Sequence, residues 1–328
     1  MTHGWLVTGG AGYIGSHVVR SFMAAGIEPV VIDDLSSGHR DFIPDGVEFI
    51  HGSLLNRSVV AHALTRAPAG VVHLAGYKYA GESMQRPLHT FEQNVQGTVV
   101  LLDEMVSAGV ANIVFSSSAA VYGTPQDDEV TESAPLHPES PYGETKLIGE
   151  WLVADAGRAH GLRHTSLRYF NVAGSGSSDV YDSSPHNLFP MIFSALSRGE
   201  TPHINGTDYD TPDGTCLRDY VHVVDVAEAH VRAAQALLTG VTLDPVYNLG
   251  SGTGFSVSEV MHTVARVTGV PFDPELRPRR LGDPARIVGS GARAEKDLGW
   301  THLRDLEAMV TSAWAANPGR ARNSDSPS

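Results

Sequence analysis

The sequence predicts an α/β protein, a doubly wound parallel sheet with a smaller α/β domain attached. Three observations point there. Short apolar runs alternate with helix-patterned segments through the first half of the chain. The first run leads directly into a glycine turn, Thr8-Gly9-Gly10-Ala11-Gly12-Tyr13-Ile14-Gly15, and then into helical periodicity. The second run ends in a single acid, Asp33, at a distance from the turn that matters chemically. Strands joined by helices run parallel, and a parallel sheet needs both faces covered.

The opening strand is Trp5-Leu6-Val7, and Val18, Val19, Phe22 and Met23 follow at helical spacing, which gives strand, turn and helix start in that order. Gly9, Gly12 and Gly15 have one dinucleotide spacing, and Gly10, Gly12 and Gly15 have G-x-G-x-x-G as well. Lacking Cβ atoms, they let the chain turn sharply, let a pyrophosphate approach the helix N-terminus, and let helix pack on strand. This is the Rossmann-type arrangement. The second strand, Pro29-Val30-Val31-Ile32, delivers Asp33 at 33 − 15 = 18 residues past the last glycine, close to the roughly 20 expected of a ribose-binding acid. A carboxylate there accepts from both ribose hydroxyls and repels a 2′-phosphate, so NAD is expected rather than NADP.

Further strands are expected at 47–50, 70–76, 112–116 and 165–170, and helices at 57–66, at 91–108 and from Ser140 onward. Ligands on such a sheet bind beyond the carboxyl ends of the strands. Gly9, Asp33, Ala75, Ser116 to Ser118 and Asn171 all fall on that edge. From about 173 the texture changes to Gly, Ser, Asp, Pro and Asn with shorter apolar pieces. The expected division is a cofactor domain over 1–172, to which 222–250 returns through a helix near 225–238 and a strand at 246–249. Residues 173–221 and 251–316 form the smaller α/β substrate-binding domain. Residues 317–328 carry no apolar anchor and are expected to be a disordered tail.

Composition sets the outer bounds. The chain has 328 residues, 41% of them apolar, enough for a large core. A net charge of −14 disfavours nucleic acid and anionic membrane, so a phosphate site has to be built locally from helix dipoles and a few arginines. Cys216 is the only cysteine, which excludes an internal disulfide and fits a reducing, cytoplasmic setting. No apolar run reaches the roughly 18 residues of a membrane span, and no signal peptide is read. His160 and His164 have the i,i+4 spacing of a metal pair, but Gly161 interrupts them and no acid or cysteine lies nearby, so no metal is expected.

The second informative stretch is Ser140-Pro141-Tyr142-Gly143-Glu144-Thr145-Lys146. Ser140 suits an N-cap and Pro141 the first helical position, which puts Tyr142 and Lys146 on one helix face. A phenol of ordinary pKa about 10 is a poor base at neutral pH. A nearby ammonium and the positive charge of an oxidised nicotinamide both favour the phenolate. Tyr142 could then take a proton from a sugar hydroxyl as hydride leaves the same carbon. Ser116-Ser117-Ser118, at the end of a preceding strand, could supply a hydroxyl to the same oxygen.

These motifs, together with Ser118-Ala119-Ala120-Val121-Tyr122-Gly123, Leu167-Arg168-Tyr169-Phe170-Asn171 and Asp213-Gly214-Thr215-Cys216-Leu217-Arg218-Asp219-Tyr220-Val221-His222, resemble the extended short-chain dehydrogenase/reductase family, and within it the UDP-hexose 4-epimerases. The resemblance covers about residues 3–316. It implies Tyr142 as base, Lys146 on the cofactor ribose and Ser118 as proton partner. It implies NAD contacts at Gly9, Gly12, Tyr13, Ile14, Gly15, Asp33, Ser53, Leu54, Leu74, Ala75, Gly76, Lys78, Asn94, Ser116 and Phe170. It implies uridine diphosphate contacts at Asn171, Asn187, Leu188, Asn205, Arg218, Tyr220, Arg280 and Asp283. Arg218 and Arg280 suit this, because paired guanidiniums grip a diphosphate in bidentate fashion.

The implied activity is NAD-dependent exchange of UDP-galactose and UDP-glucose through a transient 4-keto sugar, without net redox change. Helices near 91–108 and 143–159 resemble the family's dimer-forming pair, so a homodimer is expected. Four positions depart from the family pattern: Ser53 where an acid usually meets the adenine, Asn205 where an aromatic residue meets the uracil, Val172 where proline usually follows Asn171, and Ile287 at the position that gates the sugar's 2-substituent. Alternatives on the same scaffold are another NAD-dependent nucleotide-sugar epimerase, a 4-reductase or a 4,6-dehydratase. A dehydratase needs an acid and a base beside the serine, where this chain has Ala119 and Ala120. An NAD-sensing protein without catalysis commonly lacks the Tyr/Lys pair, which is present.

Overall fold

The computed structural model describes residues 4–67, 69–280 and 283–320. Strand β1 (Trp5–Thr8) passes through the glycine turn into helix α1 (Tyr13–Ala24), followed by β2 (Pro29–Asp33), β3 (Glu48–His51), α2 (Arg57–Arg66) and β4 (Gly70–His73). Next come α3 (Ala80–Ser83), α4 (Pro87–Phe91), α5 (Gly97–Ala108), β5 (Asn112–Ser118), α6 (Pro141–His160) and β6 (Arg163–Tyr169). The remaining chain forms β7 (Asn171–Ala173), α7 (Leu188–Ser197), β8 (His203–Asn205), β9 (Leu217–His222), α8 (Val223–Leu238), β10 (Val246–Leu249) and β11 (Gly254–Ser256). It ends with α9 (Val257–Thr268), β12 (Glu275–Arg277), β13 (Arg286–Ile287), α10 (Ala292–Leu298) and α11 (Leu306–Ala316).

The large sheet has the order β10-β6-β5-β4-β1-β2-β3, and every pairing in it is parallel. The strand order reverses between β1 and β4, which opens a crevice at their carboxyl ends. Alternation along the strands explains the two cores. Val7, Val31, Val72 and Val114 pack with Val18, Val19, Phe22 and Val226 on one face. Leu6, Val30, Ile32, Val71 and Ile113 pack with Leu64, Leu101, Met105 and Val153 on the other. Side chains of a strand point alternately to opposite faces, so both faces are apolar and both are covered.

A third core, built from Phe189, Ile192, Phe193, Ile204, Tyr220, Val264, Val310 and Trp314, joins α7, α9 and α11 to the shorter strands. There β9 lies between antiparallel β11 and parallel β13, and its second half pairs with β7. β8 pairs with β12.

The helix over 91–108 differs from expectation. Residues Glu92–Gln96 form a π turn between α4 and α5. A widened turn of this kind inserts one residue without changing the apolar spacing on either side, so periodicity could not reveal it. Its consequence is that Asn94 points inward, where it is buried. Asn317–Arg320, at the start of the expected tail, form a turn in which Asn317 N–H donates to the Trp314 carbonyl (3.2 Å) and Arg320 N–H to that of Asn317 (3.1 Å); the rest of that tail, 321–328, lies outside the described residues. Among the described residues no helix is long and apolar enough to cross a membrane.

Candidate active site

The crevice opens into a cleft of about 1520 Å³ that runs from the glycine turn to Arg280. At one end, Gly9 has φ +71°, and a Cβ on it would lie 2.7 Å from the Ala75 nitrogen. A Cβ on Gly15 would lie 2.1 Å from the Gly9 carbonyl oxygen, a clash of backbone with backbone. Gly12 is the N-cap of α1 and makes no side-chain cap. The first amides of α1 are therefore left without side-chain partners at the cleft, the arrangement that binds phosphate. Gly9 and Gly15 have no room for a side chain and Gly12 leaves the start of α1 open to the cleft, and the residues present fit a dinucleotide.

Asp33 closes that end. Its Oδ2 accepts from Ala11 N–H (3.0 Å) and its Oδ1 from Leu35 N–H (2.8 Å). The second bond holds Leu35 at φ +59°, a conformation a leucine rarely adopts unaided. Burial pushes the Asp33 carboxyl above its ordinary value, and the two backbone donors oppose that. Each oxygen keeps a lone pair free for a ribose hydroxyl. Ser53, Leu54, Leu74, Ala75, Gly76 and Lys78 line the same stretch of wall.

The middle of the cleft carries the Tyr/Lys pair. Ser140 Oγ accepts from Gly143 N–H (3.2 Å) and Pro141 occupies the first turn, so the helix begins where the cap and the proline predict. Lys146 Nζ donates to the Ser116 carbonyl (2.8 Å) and lies 5.4 Å from the Phe115 ring centroid and 5.8 Å from that of Tyr142. Burial lowers the ammonium from its ordinary 10.5 to about 8, with Glu150 pulling the other way. Ser118 Oγ accepts from Ala120 N–H (3.2 Å), capping the turn Ala119–Tyr122.

Burial pushes the Tyr142 phenol above its ordinary value, and the Ser118 hydroxyl opposes that. In this protein by itself the phenol is a weaker acid than in water. The Lys146 ammonium, 5.8 Å from the ring centroid, and the positive charge of an oxidised nicotinamide when bound both work against that rise.

Beyond this pair the wall passes from Phe170 to Asn171, Asn187, Leu188 and Tyr220, then to Arg218, Asn205, Arg280 and Asp283. Asn171 Nδ2 donates to the Asp219 carbonyl (3.1 Å), and Asn187 Nδ2 to Asp182 Oδ2 (2.7 Å). Arg218 Nη1 donates to the carbonyls of Leu217 and Pro284, both at 2.8 Å, and its Nη2 lies 3.8 Å from Asp283 Oδ1. With its amide oriented to satisfy both groups, Asn205 accepts from Arg280 Nε (3.2 Å) and Nη2 (3.3 Å). The asparagine that replaces an aromatic residue thus holds an arginine. Ile287, half-buried in β13 opposite Arg218, stands outside the cleft wall.

Of the candidate residues, Asn94 and Ser116 do not reach the wall. Asn94 brackets Tyr77, accepting from its N–H (2.6 Å) and donating to its carbonyl (3.0 Å). Ser116 is fully buried and bonds His230 Nε2 (3.0 Å). Both act from behind on residues that line the cleft. Glu150 and Arg168 were not anticipated. Arg168 grips Glu150 through Nε–Oε1 (2.8 Å) and Nη2–Oε2 (2.5 Å), Ser117 Oγ donates to the same carboxylate, and the whole group is buried. This ties α6 to β5 and β6. Glu150 stands one turn beyond Lys146, and that spacing was the available signal.

Comparison with known proteins places this geometry. The profile of the NAD dependent epimerase/dehydratase family matches residues 5–250. The chain is 43% identical over 319 residues to a UDP-glucose 4-epimerase of Streptomyces lividans, covering 96% of each. It superposes with TM-score 0.91 on the crystal structure of UDP-glucose 4-epimerase from Brucella ovis in complex with NAD, at 36% identity, covering 96% of this chain and 98% of that one. The Bifidobacterium longum UDP-glucose 4-epimerase in complex with NAD+ and UDP gives TM-score 0.87 at 33% identity, covering 97% and 99%.

Proposed function

The chain belongs to the NAD dependent epimerase/dehydratase family, and from that premise we propose that it is an isomerase that interconverts UDP-galactose and UDP-glucose by inverting C4 of the hexose. The observation that carries the proposal is the position of Tyr142, Lys146 and Ser118 midway along one cleft. On one side lies a dinucleotide cradle ending in Asp33, and on the other a polar end containing Arg218 and Arg280.

The residues that would hold NAD are Gly9, Gly12, Tyr13, Ile14, Gly15, Asp33, Ser53, Leu54, Leu74, Ala75, Gly76, Lys78 and Phe170, with Asn94 and Ser116 supporting the wall. NAD, when bound, supplies a hydride acceptor and donor together with a positive charge. Tyr142 takes the proton of the C4 hydroxyl as the 4-keto sugar forms, and gives it back on the return. Ser118 shares that proton. Lys146, held at the Ser116 carbonyl, keeps a donor free for a ribose hydroxyl. Asn171, Asn187, Leu188, Asn205, Arg218, Tyr220, Arg280 and Asp283 hold the uridine diphosphate. Firm binding of the diphosphate and loose binding of the hexose let the keto sugar present either face. The NAD side then corresponds to residues 1–172 and 222–250, and the nucleotide-sugar side to 173–221 and 251–316.

A homodimer is part of the proposal. Leu88 on α4 is 84% exposed and Trp151 on α6 is 56% exposed, large apolar side chains on two helices that pack together, which a partner would cover. α4 and α5 each pack on α6, so the partner is expected there. A cytoplasmic location is proposed from the lone cysteine. A dehydratase is not supported, because Ala119 and Ala120 stand beside Ser118 where that chemistry needs carboxyl groups. The test is incubation of the purified protein with UDP-galactose, without added cofactor or reductant. UDP-glucose is the expected product, and none, even after NAD is added, would refute the proposal.

A further inference from the structure

We propose that His73, at the end of β4 and fully outside the cleft, is a positioning residue that fixes the NAD cradle against the helix carrying Tyr142. The proposal rests on the reading of the cleft given above. Its basis is one continuous buried chain of hydrogen bonds whose direction is set at both ends.

At one end, Thr98 Oγ1 donates to the Asn94 carbonyl (2.6 Å). A carbonyl only accepts, so that bond uses the single Thr98 hydroxyl proton. Toward His73 Nε2, 2.9 Å away, Thr98 can then only accept, and Nε2 must carry hydrogen. In a neutral ring Nδ1 is therefore bare, and it accepts from Thr8 Oγ1 at 2.8 Å. Thr8 Oγ1 in turn accepts from Ala75 N–H (3.1 Å). Thr8, His73 and Thr98 are all buried. Burial first, and the Lys146 charge second, lower the imidazole from 6.5 to about 3, which keeps the ring neutral.

The two arms end at different places. The Thr8 arm ends on Ala75, the residue against which Gly9 is pressed so closely that a Cβ would not fit. It therefore fixes the glycine turn to the end of β4. The Thr98 arm ends on Asn94, whose side chain donates to Thr145 Oγ1 (2.9 Å), and Thr145 Oγ1 donates to the Tyr142 carbonyl (2.8 Å). It therefore fixes the start of α6. One imidazole spans the two, and of the polar side chains only a histidine offers a donor and an acceptor at this separation on a rigid ring.

The test uses the arms separately. In the NAD-loaded wild-type protein, ¹⁵N-histidine NMR is expected to show His73 with Nε2 protonated and Nδ1 bare at neutral pH; the other tautomer, or an imidazolium, overturns the assignment. His73→Asn keeps an acceptor near the Nδ1 position and severs the Thr98 arm. His73→Gln keeps a donor near the Nε2 position and severs the Thr8 arm. Loss of one such bond predicts roughly a tenfold effect. His73→Asn is expected to lose that factor in kcat and much less in NAD retention on gel filtration. His73→Gln is expected to lose it in NAD retention and much less in kcat at saturating NAD. Thr98→Val, a change of shape too small to prevent folding, is expected to repeat the His73→Asn pattern. Equal losses of retention and turnover in all three variants would reduce His73 to packing and overturn the proposal. A wild-type protein that retains NAD but does not epimerise would instead refute the proposed reaction, while the tautomer and the retention data would still judge His73.

Discussion

Replacing Lys146 by methionine is expected to stabilise the fold while abolishing turnover, because the ammonium is held in the cleft against its own preference. Burial lowers it from 10.5 to about 8. That gap of 10.5 − 8 = 2.5 pH units, at about 1.4 kcal/mol per unit, amounts to about 3 kcal/mol of folding free energy lost below pH 8. Methionine is similar in length and needs no charge, but it gives up the bond to the Ser116 carbonyl, worth about 1 kcal/mol for an uncharged donor. The net gain expected at pH 7 is about 2 kcal/mol. The sign with pH follows from linkage. Between pH 8 and 10.5 the unfolded chain binds more protons at this lysine than the folded chain does, so wild-type stability rises with pH across that window. The advantage of the variant is therefore present below pH 8 and fades toward pH 10.5. Urea unfolding of cofactor-free wild-type and Lys146→Met protein at pH 7 and pH 10 measures it, and turnover is expected to fall by at least about a hundredfold. A variant less stable than wild type at pH 7, or a difference that does not change with pH, refutes the reasoning.

Three further outcomes are expected. Tyr142→Phe lowers turnover by several orders of magnitude, more than the roughly hundredfold of a minor proton partner, and leaves UDP affinity by calorimetry within about threefold; near-normal turnover removes Tyr142 as the base. Purified protein retains NAD in preference to NADP because Asp33 faces the ribose, and Asp33→Ala narrows that ratio while lowering the melting temperature, since Ala11 and Leu35 lose their acceptor; unchanged NAD preference in the variant contradicts the assignment. Sedimentation at micromolar concentration gives a dimer for wild type and a monomer for Trp151→Glu, and a wild-type monomer refutes the dimer.

The parts of the fold legible in the sequence were those governed by local rules. The glycine turn, the Ser140 cap, Pro141 and the apolar runs each announce themselves within a few residues, and the sheet follows from their alternation. Asp33 was legible because its partner, the glycine turn, lies at a fixed spacing. What could not be read depends on contacts between distant segments. Thr8, His73 and Thr98 meet only when β1, β4 and α5 are packed, and neither His73 nor Thr98 falls in a motif. The bidentate grip of Arg168 on Glu150 needs β6 beside α6. The proximity of Lys146 to Tyr142 is visible in the spacing, whereas the bond of Lys146 to the Ser116 carbonyl and the burial that pushes the Tyr142 phenol up depend on distant segments.

The account stands on the same hydrogen leaving C4 and returning to it. UDP-galactose labelled with deuterium at C4, incubated with the purified protein in ordinary water and without added NAD, tests this directly. The prediction is UDP-glucose that keeps nearly all of its deuterium. Loss of the label to solvent, or product formed only when a reductant is supplied, contradicts it.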